Sequence, residues 1–357
     1  MFSIVSILLC GASGIKQKID DPIILRDEKI KVSPKEFYIS AVVDERKNQV
    51  PVASLIYLNP NKSLTSKPVD LQGGAGISVR DFILRNLNRN TEKRAVVLGI
   101  KEMKLIEEKS SSGSINGHLS IVFSFSLKSK YDKIHLVDFS GGMRYDRASN
   151  QLVDTEGIIR MGIEGVLYDF NEWMNNNAET YPLLAKAVKV RFTDYTETPE
   201  GDTIYYSAKR PLIWDDFKDK PRDEHFEAEV LPVMGYTEQN RVTKGIIYVD
   251  MAIKVSVAKS DCWVKGLKDD YILNHEQRHF DIEKIVSERY KKKLLAMTLP
   301  TDNFYGPINM EYLEALREAN RMQKQYDAET RHGQDRVEQA RWNEQIDKEL
   351  REFGVKK

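Results

Sequence analysis

Residues 275–279 read His275-Glu276-Gln277-Arg278-His279, inside a stretch from about Asp270 to Met297 whose pattern is helical, with Asp269 or Asp270 as its N-terminal cap. Four residues of α-helix turn through about 400°, so both imidazoles leave one face about one turn apart. Ile272, His275, His279, Ile282 and Val286 advance in steps of three or four, which turns the histidine face inward, whereas Lys284, Glu288, Lys291 and Lys292 sit largely elsewhere. Two imidazoles on a buried face need a partner to offset their desolvation, and one shared metal ion supplies it. The pentapeptide therefore points to a helix whose histidine face is turned inward.

The spacing suits one zinc ion held at about 2.0–2.1 Å from each ring. Glu276 projects one step round the helix, beside such an ion, where it can take a proton from water and return it to a leaving amine. Two protein ligands are too few, since a catalytic zinc has three plus an open position. The extended form with a glycine and a third histidine in the next turns is absent, because Ile282 and Ile285 stand there. The third ligand must come from further along. His332, the sole histidine after His279, is expected to supply it, with Glu311, Glu314, Glu318 and Asp327 as carboxylate alternatives. Asp281 is expected to orient an imidazole from behind, and Glu283 is a second candidate for that task.

The rest of the chain supplies the frame. At 357 residues it is long for a single core, and two domains are expected. Lys plus Arg and Asp plus Glu both number 54, so no global basic field exists and a nucleic-acid partner is not expected. Residues Phe2 to Cys10 form an apolar run about half the length that spans a bilayer. With Ala12 behind it, that run fits the core of an export signal over residues 1–14, although no Lys or Arg precedes it and Leu9 before Cys10 breaks the lipoprotein pattern. A buried N-terminal strand is the alternative. Of the two cysteines, Cys10 lies in this leader, so a processed chain keeps Cys262 alone and no internal disulfide. No run of 18 apolar residues follows, so no transmembrane helix is expected.

Strand and helix patterns alternate from Lys31 to Asn175. Leu119, Ile121, Phe123, Phe125 and Leu127 alternate cleanly, a strand at Ile134–Tyr145 is broken by Gly141 and Gly142, and Ile77–Asn88 and Ile158–Asn175 are helix-like. Gly73, Gly74 and Gly76 lack the ending of a phosphate loop and read as a plain loop, and His118 and His135 have no partner at ligand spacing. The polar segment Thr193–Thr203 is expected to link an α+β domain of residues 15–195 to a second domain of residues 196–357. There Ile246–Val257 alternates as a strand, expected to lie along the helix as a sheet edge that pairs with extended substrate, and a helical region from Asn309 to Glu352 is interrupted near Gly333.

RPLIWDDF (Arg210–Phe217), the strand before the helix, NHEQRHFDI, and YDAETRHG followed by Gln339 and Trp342 together resemble a bacterial family of secreted, zincin-type zinc peptidases without characterised members. The resemblance spans about Thr203–Leu350. It implies metal binding by His275 and His279, general-base chemistry by Glu276 and a functional role for His332. The N-terminal part resembles, more weakly, α+β domains of envelope lipoproteins that assist transporters. The expectation is thus an α+β protein of the bacterial envelope, exported, with a partner-binding N-terminal domain and a C-terminal Zn2+ peptidase acting on peptide or protein substrate. The alternative is a non-catalytic envelope scaffold with a structural metal.

Overall fold

Strand alternation and two amphipathic helices build the first half of the chain, and three long helices on a small sheet build the second. The computed structural model describes residues 3–6, 22–59, 61, 63–129, 132–222 and 227–356. The fold is mixed α+β, and the chain divides into two compact units, residues 1–178 and 179–357.

In the first unit β1 (Ser3–Ser6), β2 (Phe37–Asp44), β3 (Ala53–Leu58), β4 (Leu64–Val69), β5 (Arg94–Lys109), β6 (Ile115–Lys128) and β7 (Lys133–Arg147) form one seven-stranded sheet. Its order is β1-β7-β6-β5-β3-β4, with β2 also paired on β5. The alternation read at Leu119–Phe125 is a buried face, with all four apolar side chains fully enclosed. Helix α1 (Ala75–Asn86) packs on β2, and α2 (Thr155–Asn177) packs on β6 and β7. Phe170 of α2 stacks on Phe125 with ring centroids 3.8 Å apart. Gly141 and Gly142 do not break β7. A Cβ on Gly141 would lie 2.7 Å from Val166, so the glycine lets α2 approach the strand instead of ending it. Of the expected leader, Ser3–Ser6 pair in parallel with β7, and the site expected to follow Ala12 lies outside the described residues.

In the second unit β8 (Ala187–Asp194), β9 (Thr203–Tyr205), β11 (Val233–Thr243) and β12 (Ile246–Ala258) form a four-stranded sheet, and β10 (Ala228–Glu229) pairs with β13 (Trp263–Val264). Two expectations are corrected. The division falls between residues 178 and 179, not at Thr193–Thr203, because β8 runs parallel to β12 from Ala187 to Asp194 and so belongs with the second sheet. Ile246–Val257 is no edge: β11 covers one side of β12 and β8 with β9 the other, so its backbone has no free flank for substrate.

One face of β12 (Ile247, Val249, Met251, Ile253, Val255, Val257) is buried in a core shared with α3 (Asp270–Ala296) and α4 (Tyr305–Thr330). On its other side α3 meets α4 and α5 (Arg336–Glu352) through Ile282, Ile285, Tyr326, Trp342, Ile346 and Leu350. The Asp269 carboxylate caps α3 by accepting from Ile272 N–H at 2.7 Å. Sandwiched between sheet and helices, α3 also buries residues off its histidine face: Lys284 and Lys291 are both buried. Lys284 Nζ lies 2.8 Å from Asp194 Oδ1, Lys291 Nζ 2.6 Å from it, and both bond Glu288 at 2.7 Å. Among the described residues no helix is long and apolar enough to cross a membrane.

Candidate metal centre and its cleft

Helix α3 presents His275 and His279 with ring centroids 5.0 Å apart, and α4 crosses in front of them carrying Asp327. Asp327 Oδ1 lies 3.4 Å from His275 Nε2 and 3.1 Å from His279 Nε2. Ligand atoms bound tetrahedrally at about 2.0–2.1 Å stand roughly 3.3 Å apart, so these separations match two edges of a zinc coordination shell. Asp327 Oδ1 is buried and has no partner at hydrogen-bonding geometry, although both nitrogens are near it. His275, His279 and Asp327 could therefore hold one metal ion.

Two glutamines set the rings. His275 Nδ1 is 2.9 Å from Gln339 Oε1, and His279 Nδ1 is 2.6 Å from Gln323 Oε1. The amide nitrogen of Gln339 donates to Tyr326 Oη at 2.7 Å and to Asn343 Oδ1 at 3.0 Å; that of Gln323 donates to the His279 carbonyl at 2.9 Å. With each NH2 group committed, each Oε1 must face the imidazole. Nδ1 then carries the proton and the Nε2 lone pair turns toward Asp327. Tyr326 stacks on His275 at 4.8 Å and closes the site from below.

The charges are mutually arranged. Burial alone would lower the His279 pKa, but Asp327 and the Glu276 charge outweigh it and push it up to about 9. Burial alone would raise the Asp327 pKa, and contact with His275 and His279 overcomes it, holding the carboxyl well below its usual range. Glu276 is buried, and that burial raises its carboxyl despite the two imidazoles; its Oε2 accepts from Val230 N–H at 3.0 Å. A carboxylate raised in this way and fixed by a backbone amide is a better proton acceptor than an exposed one.

Asp327, one of the sequence alternatives, is the carboxylate that meets both rings. His332 lies next to it, Nδ1 3.5 Å from Asp327 Oδ1, but outside the group of atoms that meet. Glu318 instead bonds Arg289 at 2.5 Å, Glu314 pairs with Arg317, and Glu311 lies 3.9 Å from Lys293. Asp281 does not orient an imidazole. It is fully buried and accepts from Tyr206 Oη, Gln277 Nε2, Arg278 and Lys356 at 2.8–3.0 Å, because it faces the sheet side of α3. Glu283 touches the site only through Gln323 Nε2, at 3.4 Å. The RPLIWDDF segment braces the same helix: Leu212 N–H donates to Gln277 Oε1 at 2.8 Å, and Asp216 is clamped by Arg210 at 2.7 Å.

The centre opens on a cleft of about 660 Å³ whose walls are the extended segment Glu227–Val233, the start of α3 and the α4–α5 turn at His332–Gln334. That segment, with Leu231 and Val233 exposed, lines the cleft in the place expected of β12. Gln323 was the missed residue with a sequence signal, since it stands four before Asp327 and repeats on α4 the spacing of the two histidines on α3.

No family model and no curated protein matches this chain. Among solved structures it is similar to a protein of Xanthomonas campestris from family DUF330, at 9% identity and a TM-score of 0.27, over 48% of this chain and 94% of that one. Likeness at that level carries no function, and the reading of the site rests on its own geometry.

Proposed function

We propose that the second unit is a zinc-dependent hydrolase of peptide bonds. The observation that carries this reading is the meeting of His275, His279 and Asp327 in a cleft wall, with the buried Glu276 beside them. Zinc, when bound there, would polarise a carbonyl and make water a better nucleophile at neutral pH. His275, His279 and Asp327 would hold it, since a donor set of two imidazoles and one carboxylate suits zinc. Gln323 and Gln339 keep both imidazoles in the ligating tautomer. Glu276, fixed by the Val230 amide, accepts a proton from water as it adds to the carbonyl carbon. It then delivers that proton to the amide nitrogen as the C–N bond breaks. The cleft has a volume of about 660 Å³, and the exposed Leu231 and Val233 give it an apolar lip.

The test compares purified wild-type protein with Glu276→Gln. Zinc should be retained by both, and hydrolysis of a casein substrate should fall about 10²–10⁴-fold in the variant. Equal hydrolysis by the two proteins contradicts the assignment of Glu276.

A further inference from the structure

Glu283 follows His279 by one turn of α3 and is buried. Its neighbours Ile282 and Ile285 are core residues, and an apolar side chain would be buried there at less cost than a carboxyl group. The position therefore needs a reason other than packing. That reason lies on α4. Gln323 Nε2 donates to the Glu283 Oε2 atom at 3.4 Å and to the His279 carbonyl at 2.9 Å, while Gln323 Oε1 meets His279 Nδ1 at 2.6 Å. One side-chain amide is thus held at three points, two of them on His279 itself.

The way this amide faces decides which nitrogen of His279 carries the proton. With Oε1 on the ring, Nδ1 keeps its hydrogen and Nε2 offers a lone pair to a metal. With the amide turned over, Nδ1 would have to accept, Nε2 would carry the hydrogen, and the ring could not ligate through it. The His279 carbonyl opposes that turn only in part, because a carbonyl inside a helix is already taken by the N–H four residues on, here that of Glu283. The Glu283 carboxylate opposes it too: it only accepts, and a turned amide would set oxygen against oxygen. The amide of Gln339, which serves His275, donates to two neutral acceptors, Tyr326 Oη and Asn343 Oδ1. A charged acceptor stands behind His279.

We propose that Glu283 is a positioning residue of the metal centre, its carboxylate holding the Gln323 amide in the one orientation that makes His279 a ligand. The role rests on the metal-binding part of the reading above and asks nothing of the peptide substrate. In it Glu283 contacts neither metal nor substrate and acts entirely through Gln323.

The experiment measures the zinc affinity of the full-length protein at pH 8 by competition with a chromogenic chelator. It compares wild type, Glu283→Leu, Glu283→Gln and Gln323→Leu, and places each Glu283 substitution in the Gln323→Leu background as well. Affinity should fall about tenfold in Glu283→Leu, and less in Glu283→Gln, whose amide oxygen can still accept. In the Gln323→Leu background neither Glu283 substitution should cost anything further, because the amide they act through is gone. The melting temperature of metal-free Glu283→Leu should equal or exceed that of wild type, since an apolar side chain replaces a buried carboxyl group. Unchanged zinc affinity in Glu283→Leu overturns the proposal, and so does a loss that persists undiminished in the Gln323→Leu background. Melting temperatures that fall together with affinity in both Glu283 variants would assign the residue to packing and overturn it as well. Should Glu283→Leu fail to fold, the affinity of Glu283→Gln in the two backgrounds decides in its place. A wild type that binds zinc but cleaves no peptide defeats the hydrolase reading alone, and one that binds no zinc overturns both.

Discussion

Gln323 and Gln339 determine how the two histidines point, and neither stands in the pentapeptide that reveals them. Their carbonyl oxygens fix Nδ1–H on His279 and His275, so removing either should loosen a ligand without removing it. Gln323→Leu is expected to weaken zinc affinity about 10–100-fold, measured by competition with a chelator; unchanged affinity would show that His279 needs no such support. Gly333 matters for a different reason. Its φ of 77° suits glycine, and a Cβ there would stand 3.3 Å from the His275 ring, so Gly333→Ala should lower stability by about 1–3 kcal/mol and disturb the site as well. The histidine pair and Glu276 were legible because their spacing on one helix encodes their geometry. Asp327 stood open among several carboxylates, and only the crossing of α4 over α3 selects it. Asp281 misled because i+2 from His279 looks near in sequence yet lies on the opposite flank of the helix, where Tyr206 and Arg278 hold it.

Helix α3 illustrates what periodicity reads well and what it misses. The helix, its Asp269 cap and its inward histidine face follow from local pattern, and the structure has the helix at Asp270–Ala296. The enclosure of its other face does not, since a sheet on one side and two helices on the other bury Lys284, Lys291 and Glu283. The lysines are neutralised by Asp194 and Glu288. Glu283 accepts from the Gln323 amide, and burial pushes its pKa up to about 7. The folded state therefore holds a proton that the unfolded chain releases near the ordinary value of 4.5. Its contribution is full below about pH 4.5 and is lost as pH rises through about 7. Glu283→Gln should remove that loss: its melting temperature relative to wild type should rise between pH 5 and 8, by an amount of order 2–3 kcal/mol in stability. A constant difference across that range would show that Glu283 is ionised throughout. The edge role of β12 failed for a related reason. Alternation marks a strand with one buried face and says nothing of its flanks, and β8, the strand that occupies one flank, lay in the stretch assigned to the first domain, just before the segment read as linker.

The chain comprises two units, and everything in the candidate site belongs to the second: both histidines, Glu276, Asp327, the two glutamines and the cleft. That unit also has its own apolar core between β12 and the helices. Residues 179–357 expressed alone should therefore fold and bind zinc with the stoichiometry of the whole chain, as judged by circular dichroism and metal analysis; a metal-free or unfolded product would show that the first unit is needed. The number of units was legible from length, while the boundary was not, because a polar stretch with Pro199 and Gly201 marks a loop equally well inside a domain. The most direct test of the account is the zinc content of the purified whole chain and of two variants, Asp327→Ala and His332→Ala. One zinc per chain, lost in Asp327→Ala and kept in His332→Ala, is the result expected. Zinc kept in Asp327→Ala and lost in His332→Ala would contradict it.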